Sequence, residues 1–313
     1  MLANFMIAVN AVVPLFLLIL LGMGARSLHL LTDTELKHVN RAIFTVMFPL
    51  MMFYNIYSSD LSGSFDPGYI GFGVVMTLIV HFLGMGVALI VEKDNRSRGA
   101  LIQGIYRGNV VLMGLPIMIN LMGEEARGLT AVMVAVIVPC YNILAVITLE
   151  VFRGGKPDIR DMGRRIVTNP LIIGAVLGIL ANLAGLKLPS LIEEPLGDVS
   201  SAATVVALLV MGASFHVSSV RENLRNLIIG VLGKLVLSPA LALLAGYAIG
   251  LRGIPLALLL IIFGAPCAVS GYTMAQQMDS NGELAAGCLI FTSLFSCVTI
   301  CGWIFLLEQI GAI

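Results

Sequence analysis

Two stretches of this 313-residue chain set helix-breaking and hydrogen-bonding residues in the middle of apolar runs. The first, GIYRGNVVLMGLPIMINLMG at 104–123, has Gly108-Asn109 near its centre, Arg107 just before them, and Gly114 and Pro116 just after. The second, IIFGAPCAVSGYTMAQQM at 261–278, has Gly264-Ala265-Pro266. Glycine costs ~1 kcal/mol in a helix interior and proline ~3 kcal/mol, so both runs are expected to unwind and restart. Asparagine is a preferred N-cap and proline a preferred first helical residue. Asn109 is therefore expected to cap one restarted half-helix and Pro266 to open the other. A restarted helix offers free N–H groups and the positive end of its dipole, which is chemistry for holding an anion, a carboxylate above all. Pro49, Pro139, Pro170 and Pro239 have no such matched counterpart and are read as kinks.

Around these breaks lie further groups able to touch a bound acid. Tyr106, Tyr141 and Tyr272 sit deep in their runs, Asn142 follows Tyr141, and Met113 offers apolar surface. A buried tyrosine hydroxyl needs a partner, which a substrate, an unwound carbonyl or a neighbouring helix would supply. Arg107 and Lys234 are cations within apolar runs. They either snorkel to the nearer interface or draw an anion inward. His81 lies mid-run and titrates near neutral pH, so it either relays a proton or packs with a hydrogen bond. No Asp or Glu lies mid-run, and there is no HExxH, no paired acids and no metal-type cysteine spacing. No catalytic, metal or cofactor site is expected. Cys140, Cys267, Cys288, Cys297 and Cys301 are read as small packing residues.

Residues of this kind need elements that hold them inside a bilayer. The chain is 58% hydrophobic and 12% charged, with mean hydropathy +1.00. A soluble domain carries about a quarter charged residues, so no water-facing surface can be tiled from this composition. Zero net charge gives no ground for nucleic-acid binding. Apolar runs occur at 5–25, 36–57, 68–91, 99–122, 127–151, 166–186, 199–218, 225–250, 254–277 and 283–308. Each is close to the ~20 residues that cross a hydrocarbon core, giving ten expected spans. The first lacks a basic leader and a small-residue cleavage site and is read as a span, not a signal. Thirteen of the eighteen Lys and Arg fall in the loops after spans 1, 3, 5 and 7, and three in the other loops. That bias puts the first set in the cytoplasm and both termini outside. Tyr54, Tyr57, Tyr69, Tyr247 and Trp303 fall near outer span ends, where interfacial aromatics belong.

The most basic loop, 153–165, divides the chain into residues 1–152 and 166–313, five spans each. Shifted by 156–160 residues, SLHLL at 27–31 lies over GLKLP at 185–189, and Val39–Ala42 over Val199–Ala202. Gly108, Met118 and Met122 likewise lie over Gly264, Met274 and Met278. An odd number of spans per half makes the second half enter from the opposite side, so the expected repeats are inverted, as in many secondary transporters. The broken runs are then spans 4 and 9, corresponding elements of the two halves. The GxxxG at Gly174–Gly178 is read as close helix packing.

At these residues the chain resembles the auxin efflux carrier family, which includes plant PIN-type exporters and bacterial organic-acid permeases. Asn109-Val-Val-Leu-Met-Gly114-Leu-Pro116 is similar to that family's Asn-x-x-x-x-Gly-Ile-Pro signature, and Pro266 with Met274-Ala275-Gln276-Gln277 to its broken ninth span. The resemblance implies an all-α integral membrane protein of ten helices with a sodium/proton-antiporter-like fold. Helices 4 and 9 would cross at the substrate, and a scaffold would form a homodimer interface. It implies a carboxylate substrate, with Asn109 and Pro266 beside it, and the short central loop is typical of the bacterial members, hence a bacterial inner membrane. Gly108 stands where plant members have proline.

Together these readings give a carrier exporting a small organic anion by alternating access. Gly108, Asn109, Pro266, Tyr106, Met113, Tyr141, Asn142 and Tyr272 would line the site. A potential of 100 mV, negative inside, drives a monoanion outward by ~2.3 kcal/mol without a coupling ion. A proton- or sodium-coupled uptake symporter on the same fold, and a membrane sensor that binds an acid without moving it, are the competing readings.

Overall fold

The computed structural model describes residues 2–59, 66–153 and 159–313, with side-chain surroundings except at 2–11, 112 and 159. Asp60, and Lys156 of the central basic loop, lie outside the described residues. Among the described residues the chain is helical throughout, without a named strand. In order, the helices are α1 (Leu2–Ser27), α2 (Asp33–Tyr57), α3 (Pro67–Val91), α4 (Asn95–Tyr106) and α5 (Val110–Met122). Then come α6 (Glu124–Val151), α7 (Ile159–Val167), α8 (Pro170–Leu183), α9 (Ser190–Ser214) and α10 (Val217–Glu222). Last are α11 (Leu224–Ala248), α12 (Ile254–Gly264), α13 (Ser270–Gln277) and α14 (Gly282–Gln309).

Six of these, α2, α3, α6, α9, α11 and α14, are long and apolar enough to cross a membrane. Bent by 53° between them, α7 and α8 make a seventh if counted as one span. The two runs expected to unwind are each two short helices, α4 with α5 and α12 with α13. The run expected at 199–218 is instead α9, which begins at Ser190 behind Pro189 and stops at Ser214. Large apolar side chains point outward around the molecule, with Ile90 86% and Leu244 69% exposed. In water such a surface would drive aggregation; against lipid it is the expected face. Among the described residues only α12 is apolar and buried on every side, from Leu256 to Phe263, as a helix inside the bundle must be.

Side chains at the ends fix where these helices start. Thr32 accepts from the Glu35 amide while the Glu35 carboxylate accepts from the Thr32 N–H at 2.7 Å, a reciprocal box that opens α2. The side-chain oxygens of Asp66, Asp94, Asn169 and Asn281 cap α3, α4, α8 and α14 by accepting from first-turn amides.

The prolines read as kinks divide into three kinds. Pro139 lies inside α6. Pro170 is a helix opener: Asn169 caps α8 and Pro170 takes its first turn, where a missing N–H costs nothing. Pro49 and Pro239 each follow a π-helical turn, Ile43–Met47 and Gly233–Leu237. A proline gives no N–H to the carbonyl four residues back and its ring presses on it; the wider turn lets that carbonyl swing aside. Behind Pro239 that carbonyl is Leu235, and the Trp303 indole N–H donates to it at 3.0 Å. The polar edge of Trp303, expected at an interface, is thus spent inside the protein.

Packing separates two groups. Helices α1, α2, α8 and α9 pack on one another, while α3, α6, α11 and α14 pack against the broken helices α4–α5 and α12–α13. Gly174 and Gly178 let α8 lie directly on α2, since a Cβ there would stand 2.4 Å from the Pro49 carbonyl and 2.8 Å from that of Phe53. The GxxxG is therefore an intramolecular contact.

Candidate functional site

The two breaks meet. Gly108 and Cys267 form an isolated antiparallel bridge, and the Asn109 amide donates to the Pro266 carbonyl at 2.7 Å. Pairing of this kind satisfies backbone groups that have left a helix where no water can reach them. It also corrects the expected role of Pro266. Helix α13 restarts only at Ser270, and Pro266 sits in the extended linker, where it needs no N–H and its carbonyl is the acceptor. Gly114 and Pro116 lie within α5 and break nothing, whereas Gly264 is the last residue of α12. Gly108 is required by the crossing itself: a Cβ there would be 2.9 Å from the Ile262 carbonyl and 3.1 Å from Lys234 Nζ.

Asn109 occupies the N-cap position of α5 but makes no capping hydrogen bond. Its Nδ2 is buried without a partner. A donor left unpaired in an apolar interior is costly, so this amide stands out as available.

Neither buried cation snorkels. Lys234 is 0% exposed and donates to the Phe263 carbonyl at 3.0 Å and the Tyr106 carbonyl at 3.3 Å. These are the C-terminal ends of α12 and α4, so one ammonium caps both interrupted helices and opposes both negative dipole ends. Arg107 is 3% exposed and turns the other way. One terminal nitrogen donates to Gln103 Oε1 at 2.9 Å and Met274 Sδ at 3.0 Å; the other donates to Ser270 Oγ at 2.6 Å and to Asn142 Oδ1. The Asn142 amide nitrogen in turn serves Met52 Sδ and the Val138 carbonyl.

A cavity of about 60 Å³ opens beside the crossing, with room for a carboxylate-sized group. The breaks contribute Arg107, Gly108, Asn109, Val269 and Ser270, and α6 contributes Tyr141 and Asn142. The opposite wall is Phe48, Met51, Met52 and Asn55 from α2 with Thr204 from α9, so the cavity lies between the two packing groups. Val110 and Ser270, the first residues of α5 and α13, both line it. Among the described residues no Asp or Glu lines it. Positive helix ends and a guanidinium border one space, Asn109 with its unpaired amide nitrogen lines it, and that favours an anion.

Among the expected site residues, Gly108, Asn109, Tyr141 and Asn142 border this cavity, as does Arg107. Tyr106 does not: it is 0% exposed, with its hydroxyl on the Tyr141 carbonyl at 3.0 Å and its ring edge-on to His81. His81 is buried between Phe82 and Tyr106, and its Nδ1 has no partner. Met113 is buried in the core. Tyr272 lines a second recess of about 580 Å³, with Lys37, His38, Arg41, His216, Asp279 and Glu283. Asn55, Thr204, Gln103 and Ser270 were not expected. Gln103 was readable, being one helical turn before Arg107; Asn55 and Thr204 arrive from helices far away in sequence.

The profile of a family described as membrane transport protein matches residues 7–304. An uncharacterized transporter of Methanocaldococcus jannaschii is 24% identical over 311 residues, covering 96% of this chain and 100% of its own length. A Rhizobium meliloti protein named for malonate transport is 26% identical, over 95% of both chains. Auxin efflux carrier component 8 of Arabidopsis thaliana is 22% identical, over 96% of this chain and 97% of its own. With a profile match over nearly its whole length, apolar helices to cross a bilayer and relatives that are transporters, this chain belongs to the membrane transport protein family of auxin efflux carriers.

Proposed function

We propose that this protein is a secondary transporter that moves a small organic carboxylate by alternating access at the crossed breaks. One observation carries the reading: Arg107 and Asn109, whose amide nitrogen has no partner, line a carboxylate-sized cavity that, among the described residues, no acidic side chain borders. The carboxylate would accept from both, with the N-termini of α5 and α13 adding their dipoles. The ring of Tyr141, with Met51, Met52 and Val111, would meet its less polar part.

The wider architecture belongs to the same proposal. Ten spans in two inverted five-helix repeats, residues 1–152 and 166–313, would place α4–α5 and α12–α13 as equivalents, and the antiparallel bridge between their breaks supports that. The bias of Lys and Arg supports a cytoplasmic 153–165 loop and outward termini. The group α1, α2, α8 and α9 would be the scaffold, with a homodimer formed through it, and the other group would move. The name of the Rhizobium relative favours a malonate-like acid, and that of the Arabidopsis relative an auxin.

Purified protein in proteoliposomes, screened with mono- and dicarboxylates by solid-supported-membrane electrophysiology, tests this. Saturable currents or labelled-acid uptake are expected for at least one acid. Saturable binding without flux for every acid would remove the transport reading and leave a sensor.

A further inference from the structure

Arg107 brings a positive charge into the crossing, and no carboxylate meets it there. Its terminal nitrogens donate to four neutral acceptors, on Gln103, Met274, Asn142 and Ser270. Among the described residues every ion pair lies elsewhere. Lys234, at the same crossing, is spent on two carbonyls and brings no acid either. A buried charge that is hydrogen-bonded but unpaired is costly, and the cost rises as its surroundings dry. The adjoining cavity, about 60 Å³, holds too little water to screen a guanidinium as bulk solvent does. Beside Arg107, Asn109 Nδ2 and Gln103 Nε2 are buried donors without acceptors. What the site lacks is an acceptor and a negative charge at once. One small anion supplies both.

We propose that the site does not change sides empty: it crosses with an anion on Arg107, and the protein is an anion exchanger, not a uniporter. The inference rests on the transport reading above and adds its second participant, a counter-anion taken from the opposite side. A carboxylate on Arg107 neutralises the guanidinium and accepts from Asn109, so the loaded site passes the low-dielectric middle without an unpaired charge. When that carboxylate leaves, the bare guanidinium returns only after another carboxylate or a small inorganic anion has replaced it. Net one-way flux is then limited by the return step, and exchange is not.

The test uses full-length protein in proteoliposomes and labelled malonate outside, with unlabelled malonate inside or with HEPES buffer alone. Uptake at least tenfold faster into the malonate-loaded vesicles is expected. Equal rates above those of protein-free vesicles would overturn exchange and leave transport standing. No uptake in either, with labelled indole-3-acetate failing as well, would remove the transport reading itself. Arg107→Gln should bring the ratio of loaded to unloaded rates toward one, and Arg107→Lys, which keeps the charge, should preserve it. A tenfold ratio that survives in Arg107→Gln would show that some other group imposes the exchange.

Discussion

Arg107 and Lys234 are both buried where the broken helices cross, yet Lys234 donates only to main-chain carbonyls and Arg107 only to side chains. Carbonyls at the end of a helix exist in every state of the protein, so the work of Lys234 is permanent. Side-chain acceptors can turn away, so the bonds of Arg107 can be exchanged for those of an arriving anion. Lys234 is sealed at 0% exposure, while Arg107 opens on a cavity. The two charges divide the crossing into a structural face, which holds the C-terminal ends together, and a binding face, which gathers the N-terminal ends.

The sharpest way to break this division is Lys234→Met. It leaves the terminal carbonyls of α4 and α12 unpaired in an apolar interior, at about 1–3 kcal/mol for each orphaned group. Extracted in detergent, the variant should lose its monodisperse peak or unfold well below the wild type. Stability equal to wild type with only transport lost would put Lys234 on the binding face. Arg107→Gln should do the opposite. It removes charged hydrogen bonds to the anion, about 1.5–3 kcal/mol, which is a ten- to hundredfold loss of apparent affinity. Its detergent stability should stay near that of the wild type, because an unpaired buried charge has also gone. An affinity unchanged in substrate-dependent currents would detach the binding face from Arg107.

The breaks are legible in the sequence and the division of work between the two charges is not, for a physical reason. Glycine, asparagine and proline in mid-run give away a broken helix because helix energetics are local. Gly108-Asn109 and Gly264-Ala265-Pro266 indeed lie at breaks. How a break ends is not local. Pro266 looks like a helix opener from its own neighbours, and only the amide of Asn109, 157 positions earlier, makes it an acceptor in an extended linker. Lys234 is hidden for the same reason, since its partners Tyr106 and Phe263 lie on two other helices. The far wall of the cavity, Asn55 and Thr204, comes from spans with no break to draw attention to them. Tyr106 and Tyr272 do not border the cavity, because depth in a span does not say which way a ring points.

Asn109→Ala probes the binding face more gently. Its Nδ2 has no partner in the protein, so deletion should cost no stability and can relieve an unsatisfied donor. Losing one hydrogen bond to the substrate carboxylate while the protein's charge stays in place is worth about 1.5 kcal/mol, the low end for a bond to a charged group, a roughly tenfold weaker apparent affinity. Titrating current against acid concentration reads this directly. A fall in stability comparable to that of Lys234→Met would mean that Asn109 holds the crossing together instead.

Tyr141→Phe should give the smallest effect on transport, and it tests whether lining the cavity is enough to make a residue part of the binding face. The Tyr141 ring borders the cavity, but its hydroxyl is committed to the Ile262 carbonyl at 3.2 Å, on the last turn of α12. That bond belongs with those of Lys234, because it too satisfies the C-terminal end of a broken helix. Phenylalanine keeps the ring and forfeits the bond, so stability should fall by about 0.5–1.5 kcal/mol while apparent affinity stays within about twofold. Stability and affinity measured on one preparation decide the matter. If affinity falls tenfold while stability holds, the hydroxyl turns to the substrate in the working cycle, and the boundary between the two faces runs through α12 instead of beside it.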